Sequence, residues 1–301
     1  MRVTTNMAVD TLITNINRSY GRLTRFQNEL SSGSRLNNLS DDPAAIERSL
    51  RLRGELREIE QFQKNIDDGS GWLELSEATL SELETLFIQA RGLAVQGASD
   101  TFNDQQRRAI ADQVDQFIEH AFSLSQARYR ERFIYAGTRT ADQPYELVRG
   151  EEGRVVAVEP TGDTSGSIER EVSEGIVVQV NITGEKIFEG ESNAFSALIN
   201  LRDALLDNDP EQVRGTLTEL ASVRESISAV RGEIGARVNR IELTRNVLDR
   251  VGVEMTSLLS QDEDVDLTAA IVSLQEEQDV FQAALASGNT VVPQSLMDFI
   301  G

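Results

Sequence analysis

The chain has 301 residues, of which 39% are hydrophobic and only 5% aromatic, a composition that favours layers of packed helix over a thick globular core. Its formal net charge of -21 argues against binding to nucleic acid, because the phosphate backbone would be repelled over most of the surface. The sequence contains no cysteine, which excludes a disulfide framework and a thiolate metal site.

The start of the chain lacks a basic segment followed by a continuous apolar stretch, so we expect no cleavable secretory signal. No apolar run in the sequence is long enough to cross a bilayer, and we therefore expect no membrane partner. Arginines are frequent in the first 40 residues, whereas no basic residue follows Arg250. The two ends of the chain carry opposite charge and are expected to attract each other.

The first predicted element is an amphipathic helix over residues 9–30. Its apolar positions recur at alternating spacings of three and four residues, which is the pattern of a coiled-coil contact face. The predicted N-terminal assembly face comprises Leu12, Ile13, Ile16, Tyr20, Leu23, Phe26 and Leu30. The stripe is wider than pairing with one helix requires, so we expect a second row, through Ile13 and Tyr20, to contact a neighbouring subunit. We also expect this helix to become ordered only when the neighbour binds.

The next helix is predicted to begin at Asp42 and Pro43, because aspartate caps a first turn and proline is tolerated at the first helical position. Apolar and small residues then continue at three-four spacing from Ile59 to Ala94, which predicts a long helix with one buried face. Gly69, within a Gly-Ser-Gly sequence, is the predicted position of a kink or of a close contact with another backbone.

A capping box formed by Asn103 and Gln106 predicts the start of a third helix, which we expect to end near Ala136 and Gly137. Glycine then becomes frequent and short β-branched runs appear, so residues 138–190 are predicted to form a small β-rich insertion that leans on the helices. The predicted strands are residues 154–158, 168–172 and 176–182.

Helical periodicity resumes at Phe195, and Asp209 with Pro210 predicts a second long helix by the same capping argument. An acidic break at residues 261–266 precedes the last predicted helix, which matches the first in period and carries the opposite charge. The predicted C-terminal assembly face comprises Leu267, Ile271, Leu274, Phe281 and Leu285.

These elements predict a mainly α fold, a long antiparallel helical hairpin or coiled-coil rod with both termini at one end and the small β-rich insertion at the other. The expected domains are terminal coiled-coil arms (1–40 with 265–301), a long-helix bundle (41–137 with 191–264) and the β-rich insertion (138–190).

The sequence offers no residue constellation typical of a catalytic, cofactor-binding or metal site. His120 is the only histidine, and without a thiol or a second histidine it is expected to be structural. The acidic cluster that begins at Asp262 lacks the ligand spacing and central glycine of a calcium loop, which favours a solvated turn between helices. The rival hypothesis is an enzyme whose site lies within residues 138–190.

Three segments resemble conserved blocks of bacterial flagellins. They are NELSSGSRLNNLSDDPAA (28–45), KNIDDGSGWLELSEATLSEL (64–83) and RGEIGARVNRIE (231–242). Asp42-Pro43 stands where flagellins usually continue with alanines, and RFIYAGTRTADQPYE (132–146) looks like the helix-to-β transition of the hook-filament junction proteins, the third hook-associated protein or FlgL family. Residues 162–188 and 263–271 are similar to that family as well.

The resemblance implies a non-enzymatic structural subunit of the bacterial flagellum without a cofactor. Such a subunit is exported unfolded through the flagellar type III channel and lies outside the cell at the hook-filament junction. The implied partners are the hook-side junction protein, flagellin, further copies of the chain in a ring, and an export chaperone. The alternative within this class is a short flagellin that forms the filament itself.

Overall fold

The structure, a computed structural model, describes residues 2–38, 41–151, 153–190 and 192–291. Parts of the predicted terminal arms, Met1 with residues 39–40 and 292–301, lie outside the described residues. The helices are α1 (Arg2–Ser32), α2 (Pro43–Gly97), α3 (Asp104–Ser125), α4 (Glu185–Phe188), α5 (Ala194–Leu206), α6 (Pro210–Glu263) and α7 (Leu267–Val291). The strands are β1 (Arg128–Tyr129), β2 (Arg132–Phe133), β3 (Tyr145–Arg149), β4 (Val155–Pro160), β5 (Glu169–Ser173) and β6 (Ile176–Gln179). The predicted mainly α fold with long helices is confirmed.

Contacts between residues divide the chain into two compact units. The terminal unit comprises residues 1–58 and 250–301, and therefore holds α1, α7, the first turns of α2 and the last turns of α6. The central unit comprises residues 59–249 and holds the remaining lengths of α2 and α6 together with all the strands and shorter helices described above.

The buried core of the central unit follows the predicted three-four spacing along α2 and α6. On α2 the buried residues are Ile66, Leu73, Ser76, Leu80, Leu83, Phe87, Ala90 and Ala94. On α6 they are Leu220, Val223, Ile227, Val230, Ile234, Ile241 and Leu248. The sequence pattern therefore predicted the buried faces of both helices correctly, because burial on one side of a helix repeats at the helical period.

The strands pair as three separate antiparallel hairpins, β1 with β2, β3 with β4 and β5 with β6. Two-stranded sheets cannot enclose a core of their own, so each hairpin depends on the helices. The β3–β4 hairpin is tied to α3 by two ion pairs, Arg149 to Glu119 at 2.9 Å and Arg154 to Asp112 at 3.2 Å.

An aromatic cluster fills the space between the β-rich segment and α5. Tyr135, Tyr145, Phe188 and Phe195 lie with ring centroids 5.0 to 5.8 Å apart, mostly edge to face. The Tyr135 hydroxyl lies 2.5 Å from Thr79 Oγ1 on α2. Burial raises the pKa of Tyr135 and of Tyr145 far above the ordinary tyrosine range, so both hydroxyls stay neutral.

The predicted helix starts are supported by capping hydrogen bonds. Asn103 and Gln106 form the reciprocal capping box at the start of α3, as predicted. Asp209 Oδ1 accepts from the backbone N–H of Glu211 at 2.9 Å, and α6 begins at Pro210. At the start of α2, Asp42 Oδ1 accepts from the Ala45 N–H at 3.0 Å, and Pro43 is the first helical residue.

The predicted end of α3 near Ala136 and Gly137 is wrong. The helix ends at Ser125, and the chain then forms the β1–β2 hairpin. The hairpin turn places Arg130 and Glu131 at φ values of 46° and 67°. Left-handed conformations at two successive residues are incompatible with a continuing helix but match the twist of a two-residue hairpin loop.

Helix α2 continues without interruption through Gly69, where a kink was one of the two expected outcomes. The glycine instead permits close approach of a side chain: a Cβ at Gly69 would lie 2.7 Å from Val180 Cγ1. The neighbouring Gly71 approaches Tyr129 in the same way, with a Cβ position only 2.3 Å from the tyrosine hydroxyl. The glycines of this segment therefore serve packing of the β-rich segment on α2.

Candidate assembly surface

Helices α1 and α7 pack against each other in antiparallel order within the terminal unit. Near one end, a Cβ at Gly288 would lie 3.2 Å from Leu12 Cδ2. In the middle, the ring centroids of Tyr20 and Phe281 are 6.0 Å apart. Close to the chain reversal, Ser34 forms an isolated antiparallel bridge with Asp264. The two chain ends thus form a helix pair inside one molecule.

On α1, the less exposed side chains match one of the two predicted rows. Ser19 is buried, and Leu12, Ile16, Leu23, Phe26 and Leu30 of this row are half-buried, while Glu29 is buried and Val9 and Thr24 are half-buried beside it. The second row points outward: Ile13 is 51% exposed and Tyr20 is 60% exposed. One row therefore faces α7, whereas Ile13 of the other row points outward and Tyr20 stays largely exposed beside the ring of Phe281.

On α7, the row against α1 includes only part of the predicted assembly face. The buried or half-buried residues are Ala270, Leu274, Glu277, Phe281, Ala284 and Gly288. They share Leu274 and Phe281 with the predicted assembly face. The other predicted members, Leu267, Ile271 and Leu285, are about half exposed and form an outward apolar row.

Small residues explain this choice of row. Ala270, Ala284 and Gly288 allow the two helix backbones to approach, as the tight position of Gly288 against Leu12 illustrates. Larger aliphatic residues in the same places would hold the helices apart. The outward row retains the bulky side chains, and Val272 and Val280 are each 50% exposed elsewhere on α7.

A polar anchor sits at the centre of the α1–α7 contact. Glu277 accepts hydrogen bonds from Ser19 Oγ at 2.5 Å and from Arg22 Nη2 at 2.8 Å, and Arg22 Nε also binds its second oxygen at 2.9 Å. The bonds from Arg22 first, and from Ser19 second, lower the pKa of Glu277 below its usual range. A bidentate arginine-carboxylate pair fixes both distance and register between the two helices.

The acidic segment between α6 and α7 is held by arginines of α2. Arg48 forms a bidentate pair with Asp262 at 2.7 and 3.0 Å, and Arg53 forms one with Glu263 at 2.5 and 2.9 Å. The Arg48 bonds lower the pKa of Asp262. Asp266 Oδ1 accepts from the backbone N–H of Thr268 at 2.9 Å and so caps α7. These carboxylates therefore serve ion pairing and capping.

Backbone hydrogen bonds join the same segment to the end of α1. Arg35 N–H donates to Glu263 O at 2.7 Å, and Val265 N–H donates to Gly33 O at 3.1 Å. Gly33 has a φ of 71°, a left-handed conformation that ends α1 and that other residue types rarely adopt. The antiparallel register of α1 and α7 is therefore set at this reversal as well as at Glu277.

The contacts of His120 and of the acidic side chains are those of structural residues. His120 is half exposed, and its Nε2 lies 2.9 Å from Glu82 Oε1 on α2. Within the described ranges, no group of three or more histidine, aspartate or glutamate side chains is arranged to hold a metal ion. None of the helices that the structure describes is long and apolar enough to span a membrane.

Comparisons with known proteins point to one group. Residues 3–140 match the model of the bacterial flagellin N-terminal helical region. The flagellar hook-associated protein 3 of Escherichia coli is 24% identical over 94% of this chain and 95% of its own length. The flagellin of Bacillus subtilis is 25% identical over the full length of both chains. The crystal structure of the flagellar junction protein FlgL from Legionella pneumophila shares the fold, with a TM-score of 0.58, 14% identity, and coverage of 73% of this chain and 100% of that one.

Proposed function

From these similarities we propose that the chain is a member of the flagellin superfamily and a non-enzymatic adaptor subunit that joins the hook-side junction protein to the flagellin filament. One observation carries the proposal: the paired α1 and α7 leave many bulky apolar side chains exposed. They are those of Ile13, Tyr20, Leu267, Ile271, Val272, Val280 and Leu285. An exposed apolar set of this size on a single chain is typical of a subunit interface.

The inner and outer rows of the two terminal helices have different roles. Their inner rows hold α1 and α7 together through Glu277 and the small residues of α7. Most of their outer side chains are exposed, so the pair is stabilised fully when neighbouring subunits cover it. Ordering of the terminal helices is therefore coupled to assembly, and the free energy of assembly offsets the entropy lost by the helices.

The proposed partners follow from this surface and from the sequence resemblance. One set of contacts is made to the hook-side junction protein, a second to flagellin, and a third to further copies of the chain arranged in a ring. Export through the type III channel requires an unfolded chain, for which an export chaperone is the proposed carrier. The proposed location is outside the cell, on the flagellum at the boundary between hook and filament.

A junction role is favoured over a filament role by residues 132–146, which resemble the helix-to-β transition of the junction family. The Asp42-Pro43 start of α2 departs from flagellins in the same direction. The second candidate is a short flagellin, which the end-to-end similarity to the Bacillus subtilis protein favours. Purified full-length chain under filament-forming conditions separates the two, since long homopolymers would contradict the junction role.

The decisive experiment locates the protein on intact flagella. Cells carrying a tagged full-length chain are expected to show label in one band at the hook-filament boundary. Label along the whole filament would establish the second candidate, and label absent from the flagellum would contradict both. Flagella from a deletion strain serve as the control, and are expected to end at the hook because filament subunits lack their attachment surface.

A further inference from the structure

An apolar groove of about 600 Å³ runs between α2 and α6 on the surface of the central unit. Leu73, Ile234 and Val238 line its floor, where Leu73 and Ile234 are buried against the core. Ala78 on one side and Gly235 on the other are exposed. Small residues on both sides leave the floor accessible to a side chain from outside the unit.

The glycine in this groove has no explanation within the chain. Gly235 lies in the interior of α6, where glycine costs about 1 kcal/mol relative to alanine. A Cβ at this position would meet nothing within 4 Å, so the packing of the single chain does not require its absence. An incoming side chain that packs on the helix backbone would require it.

The groove also contains a carboxylate without an ion-pair partner among the described residues. Arg231 crosses from α6 to α2 and pairs with Glu77 at 2.6 Å and with Glu84, which neutralises those two carboxylates. Glu74, at the other end of the groove, is exposed and has no ion pair or hydrogen bond from its side chain within the described residues. A complementary occupant therefore combines an apolar side chain with a positive charge nearby.

The same chain carries such a combination on the outer face of α6. Leu243 is 69% exposed and Val247 is 48% exposed. Arg240 is exposed and forms no ion pair with any residue that the structure describes. Positions 240, 243 and 247 lie on one face of the helix, opposite the buried Ile241 and Leu248. We call these three residues the α6 ridge.

We propose that the α6 ridge of one copy docks into the α2–α6 groove of a second copy. Leu243 of the first copy would cover the groove floor beside Gly235 of the second, and Arg240 would pair with Glu74. The groove and the ridge are different surfaces, so the contact is heterologous, and heterologous contacts build rings or filaments. The inference rests on the proposed function, because it supplies one of the contacts between copies that a ring requires.

The absence of cysteine allows a direct test with the full-length chain. One preparation carries Ala78→Cys in the groove, and a second, with a larger tag, carries Leu243→Cys in the ridge. After mixing at high concentration and mild oxidation, a disulfide-linked pair of the two chains is expected. The control replaces the second preparation by Val156→Cys, an aliphatic position on β4 that is 54% exposed. The groove-ridge mixture should give several-fold more linked product, and equal yields would overturn the proposal.

Charge reversal tests the pairing itself. Glu74→Arg in the groove chain, or Arg240→Glu in the ridge chain, should each lower the linked yield several-fold, and the two changes together should restore it. Failure of the combination to restore the yield would overturn the proposed pairing. The outcome is separable from that of the localisation experiment: a boundary band without groove-ridge linkage contradicts only this inference, whereas linkage with label along the filament contradicts only the junction role.

Discussion

The terminal and central units are both built from helices with apolar residues at three-four spacing, but they bury those residues to very different extents. In the central unit, α2 and α6 bury large side chains such as Leu80, Phe87 and Ile227 almost completely. In the described part of the terminal unit, the hydrophobic residues that are fully buried are Ala45 and Ala270. Bulky residues of the terminal unit stay half-buried or exposed, and its best-covered contacts are polar.

This difference indicates which part of the chain depends on neighbouring subunits for its stability. Hydrophobic burial contributes about 25 cal/mol per Å² removed from water, so the central unit obtains its stabilisation within one molecule. The terminal helix pair removes little apolar area and relies on hydrogen bonds and ion pairs, which contribute less. We infer that the central unit is complete as a monomer and that the terminal unit is completed by assembly.

The largest expected difference between the units comes from truncating one leucine in each. Leu80→Ala should lower the free energy of unfolding of the central unit by about 2–5 kcal/mol, because it opens a cavity in a closed core. Leu285→Ala, at an exposed position, should change stability by no more than about 0.5 kcal/mol. Urea unfolding followed by Trp72 fluorescence and by far-UV circular dichroism measures both. Similar losses in the two variants would remove the distinction.

A charge in the α1–α7 contact should disrupt the terminal unit alone. Phe281→Asp places a carboxylate against Tyr20 at a cost of about 1–3 kcal/mol, enough to separate a weak helix pair. We expect amide hydrogen exchange along α1 to be faster than around Leu80 in the unchanged chain, and in this variant it should approach that of an unfolded peptide.

The matched control for that variant is Val280→Asp, which puts the same charge at the next, exposed position. It should leave the exchange of α1 unchanged in the isolated chain. The unfolding midpoint reported by Trp72 should stay constant in both variants, since Trp72 is buried in the central unit. Protection of α1 as strong as that of Leu80 in the unchanged protein would contradict coupling between ordering and assembly.

The sequence predicted the central helices well because their burial repeats at the helical period and their ends carry capping residues. The end of α3 was not predicted because Arg130 and Glu131 adopt left-handed φ values, which in a hairpin turn usually occur at glycine or asparagine. The next glycine after this helix is Gly137, where the helix was expected to end.

The predicted assembly face of α7 did not separate the row that contacts α1 from the row that stays exposed. Two rows at the same three-four spacing share Leu274 and Phe281, and bulky residues favoured the row through Leu267 and Leu285. Which row faces α1 depends on how closely the helices approach, and that distance is set by small residues such as Gly288. Spacing of bulky apolar residues alone therefore does not decide the choice, because small residues in the helix and the opposing surface of α1 set the approach.

Acid should weaken the terminal unit through its depressed carboxyl pKa values. Hydrogen bonds from Arg22 and Ser19 lower the pKa of Glu277, and those from Arg48 lower the pKa of Asp262. A carboxyl whose folded pKa lies below its unfolded value stabilises the fold above that range, and the contribution is lost as pH falls through about 4 and below. Far-UV circular dichroism between about pH 6 and pH 3 should show an early loss of helix. Glu277→Gln should reduce this early loss, and an unchanged profile would contradict the role of Glu277.

The smallest expected effect distinguishes two explanations of the α1–α7 pairing. One is a specific contact between Arg22 and Glu277 that sets the register, and the other is a general attraction between the oppositely charged helices. Arg22→Gln removes the bidentate bond to Glu277 but keeps the bond from Ser19, so exchange along α1 should rise less than in Phe281→Asp. Arg18→Gln removes the same charge from α1 at a position without an ion pair among the described residues. If the pair sets the register, only Arg22→Gln should raise exchange at low salt, and added salt should narrow the gap between the variants because exposed pairs are screened. Equal effects would mean that the opposite charges of the two ends attract each other without a specific contact at Glu277.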